Sequence, residues 1–209
     1  MKAQRPNKME LTEQQRLEHN KAFEEARAIV KDEIFTHERP LIPKPGWLLS
    51  RKLNHALSLF ARVLELNPEN WPAMWNVGKV HQRFGDNATA LSWFERAYQV
   101  NPSQPDIARE TALCAMEIGQ HDAAIVFAHR SVQIQPADGG RHANLALAYL
   151  LANRISDAQT SINNALAADP ADKISQSIKS VIQHFATNGG TPPTTAPALL
   201  KYWQKNRAA

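Results

Sequence analysis

The sequence predicts an all-α fold, an array of stacked helix–turn–helix units, and three observations predict it. Pro68, Pro102, Pro136 and Pro170 stand 34 residues apart. Ala56, Ala90, Ala124 and Ala158 keep the same interval, and so do Gly85, Gly119 and Asn153. Several independent columns with one period mark an internal repeat, in which each unit buries its apolar face only against its neighbours.

Each column has a physical role. Small residues let two helix backbones approach closely, and the residue four positions on fills the adjacent groove. That residue is Phe60, Phe94, Ala128 or Ile162, followed by the small or apolar column Val63, Ala97, Ser131 and Ala165. Glycine and asparagine accept the left-handed conformation that ends a helix. Ahead of each such turn lies an apolar helical pattern: Met74, Val77, Val80 and Phe84, then Ala108, Ala112, Ala115 and Ile118, then Leu145, Ala148 and Leu151. After the first turn, Ala90, Leu91, Phe94 and Ala97 continue the helical stripe. The proline stops the second helix, because it disfavours helix at the residue before it. Each unit is therefore an A helix, a turn, a B helix and a stop, with helices of about 14 residues, or ~21 Å.

In chain order, residues 1–11 are expected to be disordered. Thr12 and Gln15 have the spacing of a capping box, so a helix is expected over 13–37 with Phe23, Ala26, Val30 and Ile34 on its apolar face. Pro40, Pro43 and Pro45 rule out helix interior where the A helix of the first unit falls in the frame. That unit keeps only its B helix, about Leu48 to Leu66. The 13–37 helix is expected to replace the missing A helix, with the proline segment as a strap and with Leu41, Ile42 and Trp47 tucked against the pair. The N-terminal part thus runs over 12–70. Full units follow at 71–104, 105–138 and 139–172. A capping helix then carries Ile174, Ile178, Val181, Ile182 and Phe185 and completes the array at 187. Residues 188–209 read as a flexible linker, TPPTTAP within it, and a short amphipathic end.

Composition narrows the function classes. The formal net charge is +4, and the last stretch, 173–209, holds five basic and no acidic residues. That is not the basic face of a dedicated nucleic-acid binder. The single cysteine, Cys114, excludes an internal disulfide and reads as a core thiol. The eight histidines lack the i, i+4 spacing of a helical metal site, and no nucleophile–base constellation or phosphate loop stands out. No catalytic residue, cofactor or metal is expected. The first residues lack the apolar core of a signal peptide. No stretch approaches the roughly 20 apolar residues of a membrane span. A cytoplasmic, non-enzymatic protein is the expectation.

The 34-residue unit resembles the tetratricopeptide repeat family. The favoured small residues of that family match Gly78, Ala90 and Ala97, its aromatic column matches Phe94, and its proline matches Pro102. Met74 replaces its usual Trp and His81 its usual Tyr. The later units are weaker matches: Ala112, Ala115 and Ala128 depart from the pattern, while Tyr149 recovers the aromatic. The resemblance covers about 46–187. It implies a right-handed superhelical array whose A helices line a concave groove that binds a peptide or partner segment, so that the chain is a protein-interaction scaffold, either an assembly adaptor or a secretion-type chaperone.

Carried onto this chain, the groove residues are Trp75, Asn76, Lys79, Gln82 and Arg83, then Asp106, Arg109, Glu110, Leu113, Met116 and Glu117, then Asn144, Leu147 and Leu150, and from the capping helix Ser177, Val181 and His184. This wall runs from cationic to apolar, which suits a segment with an acidic and an apolar end. Asn76 and Asn144 each offer a donor and an acceptor to a main chain. The family's clamp for a chaperone's C-terminal carboxylate is not matched: its positions are occupied by Trp75, Lys79, Glu110, Gly140 and Asn144. Leu199, Leu200, Tyr202 and Trp203 form an apolar cluster that could enter the chain's own groove, enter that of a second copy in a homodimer, or seal the array end. The alternative function is nucleic-acid association through Lys201, Trp203, Lys205 and Arg207.

Overall fold

The structure, a computed structural model, describes residues 11–34 and 44–206. These form ten helices and no strand. The helices are α1 (Glu13–Val30), α2 (Trp47–Leu66), α3 (Trp71–Phe84), α4 (Asn87–Val100), α5 (Pro105–Glu117), α6 (His121–Ile134), α7 (Gly139–Leu151), α8 (Ile155–Ala168), α9 (Lys173–Asn188) and α10 (Ala196–Asn206). From α1 to α9 each helix packs on the next, and α1 on α3, α5 on α7 and α7 on α9 also touch. The A helices α3, α5 and α7 and their end partners α1 and α9 thus make one wall, and α2, α4, α6 and α8 the other.

Local chemistry sets the ends of the B helices, the starts of the A helices and the turns within each pair. Asn67, Asn101, Gln135 and Asp169 each precede the repeating proline and end α2, α4, α6 and α8 with φ between −134° and −142° and ψ between 77° and 95°. That is the extended region to which a pre-proline residue is confined. Two residues past each proline, Asn70, Gln104, Asp138 and Asp172 accept backbone N–H groups of the following helix. This capping column keeps the 34-residue period too, and only the folded backbone brings it out. Between the helices of each pair, Gly85, Gly119 and Asn153 take φ of 78°, 75° and 58°.

The alanine column and the two that follow it, twelve residues in all, are at most 2% exposed. Burial at ~25 cal/mol per Å² of apolar surface is what holds one hairpin on the next.

At the N-terminal end, α1 packs on α2 as the substitute A helix. The Thr12–Gln15 capping box is formed, and Ala26, Val30 and Ile34 are buried. Two expectations are corrected. The helix ends at Val30 and turns through 31–34, short of 37. Trp47 does not tuck in: it is the first residue of α2, 69% exposed, with the Arg51 guanidinium over its ring. Leu41, Ile42, Arg207 and, of the stretch 1–11 expected to be disordered, residues 1–10 lie outside the described residues.

Candidate functional site: the concave wall

The wall divides into an open part and an occupied part. The open part lies between α1, α3 and α5, where a cleft of about 760 Å³ is lined by Phe23, Glu24, Arg27 and Ala28 of α1, Lys31 just past its end, Trp71, Trp75 and Asn76 of α3, and Gln104 and Asp106 at the start of α5. It combines three aromatic side chains with charges of both signs. α1, the helix that replaces the missing A helix, supplies a rim of both signs, in which Arg27 pairs with Glu24 at 3.4 Å.

Beneath the cleft, α3 and α5 are joined by buried charge. Lys79 Nζ donates to Glu110 Oε2 at 3.1 Å, Gln82 Nε2 donates to the same oxygen at 3.1 Å, and Arg109 Nη2 reaches Glu110 Oε1 at 3.0 Å. The Lys79 and Glu110 side chains are 6% and 2% exposed. Burial pushes the Glu110 carboxyl up, but the Lys79 and Arg109 charges and the hydrogen bonds outweigh it and hold the group below its ordinary range. Lys79 and Glu110 are therefore turned to each other and away from any surface a partner would meet. Asn76 is also buried and donates its amide to Pro72 O at 2.7 Å in its own helix.

A second buried cation escaped the sequence reading. Arg141, 4% exposed, donates to Pro105 O, Ser131 Oγ, Gln135 Oε1 and Asp106 Oδ1 at 2.7–3.1 Å and pairs with Asp138. It rivets α5, α6 and α7, and it explains why Ser131 stands in a column otherwise filled by Val63, Ala97 and Ala165. A lone arginine near a helix start gives no sequence signal of this kind.

The occupied part is the apolar end. Here α10 lies against α5 and α7, on the inner wall. Leu199 is 5% exposed and joins the core that holds Leu145, Leu150 and Val181, with Tyr202 and Trp203 packed against it. Tyr202 stacks on Phe185 at 5.4 Å, and the edge of Trp203 meets His184 at 5.6 Å. Asn188 Nδ2 donates to His184 Nδ1, which leaves Nε2–H to donate to the Tyr202 hydroxyl at 3.2 Å. The preceding linker lies against the body of the array: Pro192 is buried and His121 Nε2 donates to Thr194 O at 2.7 Å. His121 opens α6 and is drawn to the linker.

Of the other groove candidates, Met116 and Leu150 are buried in the core, and Leu113, Asn144, Leu147, Gln82, Arg83 and Arg109 are partly buried. Ser177 and Val181 face α10. Burial raises the Glu117 carboxyl above its ordinary range. Trp203 is turned to His184, while Lys201 and Lys205 are exposed. Cys114 is fully buried, and its thiol is pushed up to about 12 chiefly by burial. No described helix is long and apolar enough to cross a membrane.

Comparison with known proteins agrees with this architecture. The sequence model of the tetratricopeptide repeat family matches residues 50–105 and 78–138. No curated protein matches the sequence. Among solved structures, MamA from Desulfovibrio magneticus RS-1, residues 41 to the end, is similar over 95% of this chain and 98% of its own, with 14% identity and a TM-score of 0.67. YrrB, described as a protein of this repeat with an unusual peptide-binding site, matches 64% of this chain and 69% of its own (17% identity, TM-score 0.57). The first such domain of Spaghetti (RPAP3), bound to the HSP90 peptide SRMEEVD, matches 57% of this chain and 95% of its own (12% identity, TM-score 0.53). Identities this low speak to the fold alone.

Proposed function

Because this chain is a tetratricopeptide repeat protein, we propose that it is a non-catalytic interaction scaffold that takes a segment of a protein partner into the cleft between α1, α3 and α5. The observation that carries this reading is the cleft itself. At about 760 Å³ it has the size of a ligand site, and Trp71, Trp75 and Phe23 supply aromatic anchors of the kind that dominate binding energy. Arg27 and Lys31 stand on its lining beside Glu24 and Asp106, and Arg27 pairs with Glu24 at 3.4 Å, so the aromatic anchors rather than a net charge would select the segment. That YrrB and the RPAP3 domain are described with peptides supports a peptide as the class of ligand.

The test is selection of peptides from a display library on the full-length protein, followed by titration of the enriched peptide. Ala28 is exposed on the cleft wall, so Ala28→Trp fills the cleft without disturbing the core. It is expected to weaken binding about ten-fold or more, whereas Ser92→Arg, exposed on α4, leaves it unchanged. Enriched peptides indifferent to Ala28→Trp would overturn the proposal.

A further inference from the structure

We propose that the exposed start of α2 attaches the protein to the surface of an anionic lipid membrane, with Trp47 and Leu48 entering the interface and Lys44, Arg51 and Lys52 meeting the headgroups. The attachment is to the surface alone, since no described helix is long and apolar enough to cross a membrane. The site belongs to the wall of α2, α4, α6 and α8. It shares no residue with the cleft between α1, α3 and α5 and does not rest on the reading of that cleft.

The first observation is an apolar protrusion. Trp47 and Leu48 are 69% and 68% exposed. Among the described residues the other exposed large apolar side chains, Leu17, Val100, Ile118, Val126 and Ile174, stand singly along the chain. Single ones are ordinary on a protein surface. A tryptophan beside a leucine in the first turn of a helix stands out and lines no groove, which suits a partner that yields to it. Tryptophan favours the boundary between headgroups and acyl chains, because its ring is apolar and its N–H polar.

The second is the charge around it. From Lys44 to Leu64 the chain carries no aspartate or glutamate. Lys44, Arg51 and Lys52 are exposed, and among the described residues none of them pairs with a carboxylate. The acids of the neighbouring elements are engaged elsewhere: Glu25 with His55, Glu18 with Arg62 and Asp86 with His81. Asp32 and Glu33, just past the end of α1, pair with none of the three cations.

The third is the arrangement. Arg51 follows Trp47 by four residues and Lys52 follows Leu48 by four, so the cations share the face of the apolar pair. The Arg51 guanidinium lies 5.0 Å from the centre of the Trp47 ring. Lys44 extends the cationic front across the α3–α4 turn, where its Cε comes 3.4 Å from a Cβ built on Gly85. Arg51 and Lys52 stand one helical turn, ~5.4 Å, behind the apolar pair. Amphipathic segments sink their apolar side about 5–10 Å into the lipid boundary, so the cations come level with the phosphates as Trp47 and Leu48 reach the acyl chains. Stable attachment to a membrane takes two signals, one apolar and one basic. A second copy suits the face less well: residues 173–206 at the other end carry Lys173, Lys179, Lys201 and Lys205 and no acid, so end-to-end contact brings like charges together.

The test is flotation of the full-length protein with vesicles of phosphatidylcholine, alone or with ~30 mol% phosphatidylserine. The protein is expected to float with the anionic vesicles only and to be released at about 0.5 M salt. Each cation near such a surface strengthens binding about five-fold, so Arg51→Gln with Lys52→Gln should weaken it ~25-fold. Trp47→Ser with Leu48→Ser should weaken it at least ten-fold. All four residues are exposed, so both double variants should melt with the wild type. Lys201→Gln with Lys205→Gln, the same loss of charge at the other end, should leave binding unchanged. The emission of Trp47, taken as wild type minus Trp47→Phe, should shift to the blue on anionic vesicles. Failure to float with anionic vesicles would overturn the proposal, and so would full binding by the Trp47→Ser, Leu48→Ser variant. Equal loss in the Lys201→Gln, Lys205→Gln variant would reduce the effect to net charge and overturn it too. A dimer in sedimentation that Trp47→Ser with Leu48→Ser dissolves would give the face to a second copy, with the same consequence.

Discussion

Gly78 lies under the ring of Phe94: a Cβ built on Gly78 would come 2.6 Å from Phe94 Cε1 and 2.9 Å from Cζ. Both residues are fully buried, one on each helix of the first full repeat. One period on, the same two positions hold Ala112 and Ala128. The A-helix position gains a methyl group where the B-helix position has lost a ring, so the two positions exchange volume between the first and second full units.

Gly78→Ala should therefore destabilise the protein, although alanine is the better helix former. Overpacking of a rigid core costs typically about 1–3 kcal/mol, against roughly 1 kcal/mol gained in propensity. Phe94→Leu, which shortens the ring, should rescue part of the loss. Urea unfolding of both single variants and the double variant gives the coupling between them. Additive effects would mean that the ring does not press on this position.

The Lys79–Glu110 pair calls for a different comparison. Glu110→Ala leaves a buried ammonium without its anion and should cost about 3–5 kcal/mol. Lys79→Met with Glu110→Leu removes both charges and should recover most of that loss, because the desolvation of the pair disappears with it. Thermal melts of the two variants check the order.

Acid should expose the same pair. The folded-state carboxyl of Glu110 lies below its ordinary value near 4.5. Its stabilisation is thus complete above that value and is lost as pH falls through the folded-state value. Asp86 and Asp172, held low chiefly by hydrogen bonds from Thr89 and Ser175, lose stabilisation as pH falls in the same way. The readout is therefore the difference between wild type and Glu110→Gln. The urea midpoint of wild type should fall more steeply below about pH 4.5 than that of the variant.

Cys114 should be inert while the fold is intact. With its thiol pushed up to about 12 by burial, almost no thiolate exists at neutral pH. Reaction with iodoacetamide should be undetectable in native protein and rapid in urea. Labelling of the native protein at the rate of a free thiol would place Cys114 at the surface.

How much of this was legible beforehand depends on range. The pre-proline stops, the left-handed turn residues and the buried columns were readable because each acts within a few residues or repeats at a fixed interval. The capping column Asn70, Gln104, Asp138 and Asp172 shares the period but mixes residue types, which hid it. The groove positions were assignable by register to the A helices, yet register does not say which side chains face outward. Lys79 and Glu110 looked like ligands for a partner, and their separation of 31 residues conceals that they bind each other.

The sequence by itself determined the repeat helices, their ends and their order of stacking, since local sterics and a 34-residue period act along that part of the chain. Tertiary structure alone decided what the inner wall offers. Whether Lys79 meets Glu110, whether Arg141 ties α5 and α6 to its own helix α7, and whether α10 turns inward depend on distances between parts of the chain that no local rule relates. Those contacts leave the concave wall open at α1, α3 and α5 and filled at α7 and α9.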